Sequence, residues 1–216
     1  MLFHLSQKNS IINKMIAQLR NVQLHEDRLR FRKNMERLAI CMAYEISKTL
    51  KYEGVSITTP LGISEMEIPS DRVVIASILR AGLAMHEGFL EIFDDADSAF
   101  ISSYRKHHKD GSFEVNLEYV TCPNLENAVL ILADPMVATG ASIDSALEAL
   151  LEYGQPRKIH IATAIASTNG IDHLRRKHKN AVIWAGDIDE ELTAKSYIVP
   201  GLGDAGDLAF GPKLQE

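Results

Sequence analysis

Apolar residues divide the chain into a helical N-terminal part and a later part in which strands and helices alternate. In the N-terminal part, large apolar side chains recur mainly at steps of three and four residues: Leu29, Phe31, Met35, Leu38, Met42 and Ile46. This is the spacing of one face of an amphipathic helix. This pattern predicts a helix of about 25 residues. We expect it to pack against the core or against a second subunit.

From residue 72 onward, short β-branched runs alternate with helical patterns. Five runs are apolar on both faces and predict buried strands at 73–79, 99–103, 128–132, 159–164 and 181–184. Helices are predicted at 83–93, 143–153 and 171–177. The predicted fold is α/β, a parallel sheet of about five strands with helices on both faces. In such sheets, ligands bind at the carboxyl ends of the strands.

Two segments depart from this alternation. Residues 104–119 begin with a polar, basic run and then alternate apolar and polar side chains, which predicts a mobile loop running into one arm of a hairpin. The tail after Tyr197 contains four glycines and two prolines, so we expect a loop with demanding backbone geometry. Neither an internal repeat nor a linker interrupts the sequence, and residues 1–216 are predicted to form a single domain.

Composition and charge exclude several classes of protein. Lys and Arg number 23 against 29 Asp and Glu, a net charge of −6 that repels nucleic acid, so no nucleic-acid partner is expected. Apolar runs fall far short of the roughly 20 residues that span a bilayer, and the first residues do not resemble a secretory signal. Neither Cys41 and Cys122 nor the histidines have the spacing of a metal site. We therefore expect a cytoplasmic protein without a membrane partner and without a metal bound directly by its side chains.

The segment 128–147 carries the most informative chemistry. A hydrophobic strand ends at Asp134, and a loop of small residues then leads into an amphipathic helix. Backbone N–H groups and two hydroxyls can surround a phosphate at the positive end of that helix, and Asp134 can accept hydrogen bonds from two vicinal hydroxyls. Neither the Walker spacing nor GxGxxG is present. Separately, Ser142 could be a helix N-cap and Asp134 a turn carboxylate; together they predict a combined sugar and phosphomonoester site.

Residues 134–142, Asp-Pro-Met-Val-Ala-Thr-Gly-Ala-Ser, resemble the phosphoribosyl-diphosphate motif of the phosphoribosyltransferases. The Pro-Met pair is similar to that of the uracil phosphoribosyltransferase family. Segments 77–82, 101–105 and 197–207 resemble the same family in the expected order, and 31–45 resembles its first long helix. The resemblance covers most of the chain.

The resemblance implies a transferase that moves the 5-phosphoribosyl group from phosphoribosyl diphosphate to uracil, giving UMP and diphosphate in pyrimidine salvage. It also implies Mg²⁺ as the phosphoribosyl diphosphate complex, a C-terminal hood that binds the base, and a homo-oligomer, dimer or higher. The implied phosphoribosyl diphosphate ligands are Arg80, Arg105, Asp134, Pro135, Met136, Val137, Ala138, Thr139, Gly140, Ala141, Ser142 and Asp204. The implied uracil ligands are Ile198, Gly203, Asp204 and Ala205. No residue is assigned as general acid or base.

These assignments agree with the chemistry of the implied reaction. Negative charge gathers on a departing diphosphate, and an arginine stays ionised and binds phosphate oxygens through two parallel hydrogen bonds. A tight glycine-rich loop can read a flat pyrimidine with its backbone donors and acceptors. Such a loop rejects cytosine, whose exocyclic amine leaves buried groups unpaired.

The sequence departs from the family pattern at two places in the site. Residues 106–113 replace an acidic run, which puts in doubt how the diphosphate is covered and whether GTP activates the enzyme. Ala141 replaces a common glycine, a change that a phosphate loop tolerates if its φ is negative. Three alternatives stay open: a relative acting on another base, a regulator with the same fold that binds RNA, and, because of the altered loop after Arg105, a catalytically silent paralogue.

Overall fold

The computed structural model describes residues 1–107 and 113–214, with residues 103–107 and 113–117 described by their backbone alone. The strands are β1 (Leu2–His4), β2 (Tyr52–Thr59), β3 (Gly62–Pro69), β4 (Val73–Leu79), β5 (Asp97–His107), β6 (Phe113–Thr121), β7 (Val129–Ala133), β8 (Met136–Val137), β9 (Lys158–Ser167), β10 (Ala181–Asp189), β11 (Glu191–Leu192) and β12 (Ile198–Val199). The helices are α1 (Ile11–Arg20), α2 (Arg28–Ser47), α3 (Leu83–Leu90), α4 (Ala141–Leu150), α5 (Thr168–Lys177) and α6 (Ala205–Phe210).

The central sheet has eight strands in the order β1-β10-β9-β7-β4-β5-β6, with β8 paired to β9 beyond the end of β7. Every pair is parallel except β5 with β6. The five strands predicted from apolar runs form its centre, so the α/β prediction is confirmed. The sheet has more strands than the five predicted. β6 is the predicted hairpin arm, which pairs with β5, whereas β1 and β8 were missed because they are too short to show a period.

Helices cover both faces of the sheet, as the sequence predicts. Val73 and Ile75 of β4 pack on one side with α1, α2, α3 and α6, whereas Val74 and Ala76 pack on the other side with α4 and α5. The alternation follows from the two-residue period of a strand. No helix in the described ranges is both long enough and apolar enough to cross a membrane.

The N-terminal part contains two helices where one was predicted. The predicted helix is α2, which is 20 residues long and is capped by Asp27, whose side chain accepts from the N–H of Arg30. The missed helix is α1, which begins with a reciprocal capping box between Ser10 and Asn13. Ser10 followed three residues later by a side chain that can cap in return was the available signal.

The polar segment after residue 103 is a correction to the prediction. β5 continues to His107, and Arg105 pairs with Val115 of β6 inside the strand rather than lying at the start of a loop. Backbone hydrogen bonds to the neighbouring strand can carry a strand through polar residues. Residues 108–112 of the predicted mobile loop lie outside the described residues.

The C-terminal tail is more regular than predicted. β12 pairs with β11, and the glycine-rich stretch then turns into the six-residue helix α6. Asp204 caps that helix by accepting from the N–H of Asp207 at 3.0 Å. The loop prediction was therefore wrong for residues 205–210. It relied on the number of glycines and did not consider that Asp204 can cap a helix.

Candidate active site

The site lies where β4 and β7 end. These neighbouring strands are parallel, with Ser77 opposite Ala133. From β4 the chain continues to β5, and from β7 it continues to β9, so it leaves the β4–β7 pair in opposite directions along the sheet. Such a switch in strand order opens a crevice at the carboxyl edge of the sheet. Arg80 follows β4 and Asp134 follows β7, so the structure brings these two predicted residues to one crevice.

Asp134 is held at the mouth of this crevice by β9, the strand beside the one that it follows. Its N–H donates to the carbonyl of Ala162 at 3.1 Å, and the residue is only 8% exposed. The carbonyl of Pro135 then accepts from the N–H groups of Ala164 and Ile165 at 3.1 and 3.0 Å. These bonds fix the direction of the chain as it enters the next loop.

Residues 136–143, which we call the phosphate loop, line a small concavity together with Asp134. The N-cap of α4 is Gly140, which has no side chain to cap the helix, so the alternative that Ser142 is the cap is wrong. Thr139 Oγ1 accepts from the N–H of Ala141 at 3.3 Å. The N–H groups of the first turn have no partner within the helix, so Ser142 lies where they can bind an anion.

Gly140 and Ala141 show why the loop needs small residues. Gly140 has a φ of +84°, and a Cβ built on it would lie 3.1 Å from both the carbonyl oxygen of Gly170 and the Cδ2 atom of His173. Ala141 is the first residue of α4 and is not among the residues with positive φ. The condition under which a phosphate loop can tolerate alanine at position 141, a negative φ, is therefore met.

Asp144, in the first turn of α4, lies within hydrogen-bonding distance of two histidines. Its carboxylate lies 2.8 Å from His178 Nε2 and 3.2 Å from His173 Nε2. Partial burial raises the pKa of Asp144, but hydrogen bonds from His178 and His173, together with the charge of Lys177, lower it overall. This pairing reduces the repulsion that a carboxylate would otherwise exert on a phosphate at the same helix end.

The loop after β4 lies against both the end of β7 and helix α6. The peptide bond between Leu79 and Arg80 is cis. A Cβ on Gly82 would lie 2.7 Å from the carbonyl oxygen of Ala133, and one on Gly206 would lie 3.9 Å from the Cβ of Ala81. The loop that carries Arg80 therefore joins the end of β7 to α6.

Arg80 links the loop after β4 to α6 and to the residue that follows α6 through hydrogen bonds. Its Nη2 donates to Asp207 Oδ1 at 3.0 Å and to the carbonyl of Gly211 at 3.2 Å. Both side chains of the ion pair are partly exposed, 43% for Arg80 and 34% for Asp207. The guanidinium thus lies at the surface of the crevice, where an anionic ligand can reach it.

Residues 198–205, which we call the base loop, alternate between buried and exposed positions. Ile198 and Ala205 are 6% and 4% exposed, while Gly203 and Asp204 are exposed. Gly201 and Gly203 have φ values of +58° and +97°, so the chain turns sharply between the two buried residues. A loop of this kind presents peptide N–H and C=O groups to a flat ligand.

The structure brings most of the predicted residues to one edge of the sheet. The exception is Arg105, whose strand adjoins β4 but whose side chain is outside the described part. Sequence reasoning did not assign Asp207, which contacts Arg80, or Gly82, whose lack of a side chain allows the close approach to β7. Asp207 lay within a recognised motif, but nothing local indicates a partner 127 residues away.

Fold and site together define a class. A mostly parallel sheet covered on both faces, with a phosphate loop at the start of α4 and a carboxylate at the strand end before it, is the architecture of a phosphoribosyltransferase. The sequence model of the family described as Uracil phosphoribosyltransferase matches residues 6–212. The chain belongs to the uracil phosphoribosyltransferase family.

Individual relatives support this assignment. The chain is 48% identical over 212 residues to a uracil phosphoribosyltransferase of Porphyromonas gingivalis, covering 98% of each sequence. It is 40% identical over 199 residues to one of Methanococcus vannielii, covering 91% of this chain and 84% of that one. A solved structure of an Aquifex aeolicus protein matches with a TM-score of 0.87 and 29% identity, covering 99% of this chain and 100% of that one.

A more distant structure shows the fold alone. A Staphylococcus aureus hypoxanthine phosphoribosyltransferase matches with a TM-score of 0.50 at 14% identity, covering 74% of this chain and 76% of that one. At this identity the match indicates a shared fold.

Proposed function

We propose that the protein transfers the 5-phosphoribosyl group from phosphoribosyl diphosphate to uracil, giving UMP and diphosphate in pyrimidine salvage. The observation that carries this proposal is that the phosphate loop and the base loop lie at one edge of the sheet, joined through the loop of Arg80. A sugar phosphate and a base held in these loops meet at the anomeric carbon. Membership of the family supports the same reaction.

The phosphate loop and Asp134 are proposed to hold the phosphoribosyl group. The N–H groups at the start of α4 and the hydroxyls of Thr139 and Ser142 donate to the 5-phosphate. Asp134, fixed at the end of β7, accepts from the ribose hydroxyls. The remaining predicted ligands are proposed to contribute mainly backbone groups, and the small residues among them let the ligand approach: Pro135, Met136, Val137, Ala138, Gly140 and Ala141.

Arg80 is proposed to stabilise the leaving group. In the reaction the bond from C1 of ribose to the diphosphate oxygen breaks, a bond from C1 to N1 of uracil forms, and the N1 proton is released to the departing diphosphate or to water. Positive charge develops on the sugar and negative charge on the diphosphate, so a cation fixed beside the leaving group lowers the barrier. An exposed pair such as Arg80 with Asp207 contributes about 0–1 kcal/mol, and diphosphate can replace the carboxylate. Arg105 is proposed for the same role from its motif alone.

The base loop is proposed to read uracil. Ile198 and Ala205 turn their side chains into the core, and the exposed backbone at Gly203 is proposed to face the base. Peptide groups cannot change from donor to acceptor, so the loop fixes which pyrimidine is paired. Cytosine would leave buried groups without partners, which costs about 1–3 kcal/mol for each group.

Magnesium is proposed to enter with phosphoribosyl diphosphate. Among residues 1–107 and 113–214, no group of three or more His, Cys, Asp or Glu side chains is arranged to hold a metal ion. Asp204 fits a role through water: one of its oxygens caps α6, and a carboxylate has further acceptor positions. Bound Mg²⁺ would neutralise part of the diphosphate charge. Chelation should abolish UMP formation, and added Mg²⁺ should restore it.

We also propose a homo-oligomer, dimer or higher. The hairpin of β2 and β3 exposes four large apolar side chains: Ile57, Leu61, Ile63 and Met66. A two-stranded hairpin is marginally stable alone, and an exposed apolar patch is typical of a protein–protein interface. Light scattering after gel filtration measures the mass of the oligomer directly.

A cytoplasmic location and the absence of a nucleic-acid partner remain proposals from charge and composition. Filter binding of RNA at low salt tests the absence of a nucleic-acid partner.

The decisive experiment is a transfer assay with labelled uracil, phosphoribosyl diphosphate and Mg²⁺. We expect UMP with uracil and none with cytosine, orotate or hypoxanthine. Omission of phosphoribosyl diphosphate is the control for carried-over nucleotide. Product with a different base would assign another member of the class, and no product with any base would reject the proposal.

A further inference from the structure

A charged cluster beneath the base loop lies outside the residues proposed to bind substrate. Arg20 ends α1 and Asp189 ends β10; Nη1 of the arginine donates to Oδ2 and Nη2 donates to Oδ1, each at 2.8 Å. Only 19% of the arginine side chain and 6% of the aspartate side chain are exposed. Removing charges from water is costly and requires good hydrogen-bond geometry in return, so this pair has a fixed orientation.

Arg20 and Asp189 also bind both peptide groups of Gly201. Asp189 Oδ2 accepts from the N–H of Gly201 at 2.9 Å, and Arg20 Nη1 donates to its carbonyl at 2.8 Å. Gly201 has a φ of +58°, and a Cβ there would collide with the carbonyl oxygen of Ile198. The two charged side chains therefore fix the sharp turn through which the chain passes from β12 to Gly203.

Asp187 holds the arginine from its other side. Arg20 Nη2 donates to Asp187 Oδ2 at 2.8 Å. The Oδ1 atom of Asp187 lies 2.8 Å from His4 Nε2 and accepts from Ser6 Oγ at 2.7 Å. The orientation of the guanidinium is thus set jointly by the N-terminal segment and by the end of β10.

We infer that Arg20 and Asp189 are positioning residues for uracil recognition, which act by holding Gly201 so that the peptide groups of the base loop meet the pyrimidine. The inference rests on the proposed function. Neither side chain belongs to the phosphate loop, so their loss should weaken the use of uracil and leave that of phosphoribosyl diphosphate nearly unchanged.

The chain offers a matched control at the opposite edge of the sheet. Arg157, which precedes β9, also forms a two-point ion pair, from Nε and Nη2 to the two carboxylate oxygens of Asp71. Its burial is similar, with 28% of the arginine and 6% of the aspartate side chain exposed. Arg20→Lys and Arg157→Lys therefore each break a two-point bond of the same kind, and only the first lies against the base loop.

The experiment measures kcat and the KM of each substrate for the wild type and both variants, with thermal unfolding as a check of folding. For Arg20→Lys we expect the KM for uracil to rise about tenfold while the KM for phosphoribosyl diphosphate stays within about twofold. For Arg157→Lys both KM values should stay within about twofold of the wild type. Should Arg20→Lys not fold, Asp189→Asn, which keeps the side-chain size with a single oxygen acceptor, is judged by the same criteria.

The outcomes separate this inference from the proposed function. A wild type that makes no UMP shows that the proposed function is wrong, and the positioning role with it. A wild type that makes UMP beside a variant with unchanged KM for uracil, or with equal losses for both substrates, leaves the function standing and overturns the positioning role.

Discussion

Nη2 of Arg80 and Oδ1 of Asp207 lie 3.0 Å apart, and this contact joins the loop after β4 to the helix that follows the base loop. The two residues are 127 positions apart in the sequence. Their ion pair places a cation at the crevice without burying it, which leaves the cation accessible to a charged ligand.

Arg80→Lys should lower kcat/KM for phosphoribosyl diphosphate by about 10- to 100-fold, because an ammonium cannot form the two parallel bonds of a guanidinium. The free energy of unfolding should change by less than about 1 kcal/mol, since the pair with Asp207 is exposed. Steady-state kinetics and urea unfolding measure the two quantities. Arg72→Lys is the control: its pair with Asp97 has similar exposure and lies at the opposite end of β4. Equal losses in both variants would contradict the role of Arg80.

Asp134→Ala should lower kcat/KM by about 100-fold or more, corresponding to about 3 kcal/mol of lost transition-state stabilisation. The physical reason is the loss of the fixed acceptor for the ribose hydroxyls. Asp97→Ala, which removes an exposed carboxylate far from the crevice, should keep nearly full activity. Unchanged turnover of Asp134→Ala would reject the proposed contact with the sugar.

Gly140→Ala should destabilise the protein by about 2 kcal/mol or more, because a left-handed φ and a crowded Cβ position act together. The added carbon meets Gly170 and His173 of α5 at 3.1 Å, so the phosphate loop must move and activity should fall as well. In Gly54→Ala the new carbon meets nothing within 4 Å, and stability should change by less than about 1 kcal/mol. Equal urea midpoints for the two variants would refute this prediction.

His86 should make stability depend on pH below neutrality. The imidazole is 1% exposed, with Nδ1 2.8 Å from Ser77 Oγ and Nε2 3.0 Å from Ser98 Oγ, and burial lowers its pKa to about 4. In the unfolded chain the pKa is about 6.5. Between these values the unfolded state binds more protons, so stability falls as the pH drops from 6.5 toward 4 and is fully present above 6.5.

His86→Gln tests this dependence. From pH 7 to pH 5 the wild type should lose about 2 kcal/mol more of its unfolding free energy than the variant. Urea unfolding at both pH values gives the comparison, and subtraction removes contributions from other groups. Parallel losses in the two proteins would show that His86 does not titrate in the way its burial implies.

The local pattern of apolar and polar residues was sufficient for elements that are long enough to show a period. β4 has the predicted bounds, and the strand, loop and helix around Asp134 occur in the predicted order because they are consecutive in sequence. Pattern failed at β1, only three residues long, and at α6, where glycines outweighed an aspartate cap. It also failed at Arg105, where pairing with β6 extends a strand through polar residues.

The α/β class and the phosphate loop could be predicted from the sequence, because strand and helix periods and a run of small residues are local properties of the chain. The contacts between distant groups depend on the folded chain: Arg80 meets Asp207, and Arg20 meets Gly201, which is 181 residues away. Such contacts depend on how the layers pack and on which loops share an edge of the sheet. No periodicity or spacing along one segment contains that information.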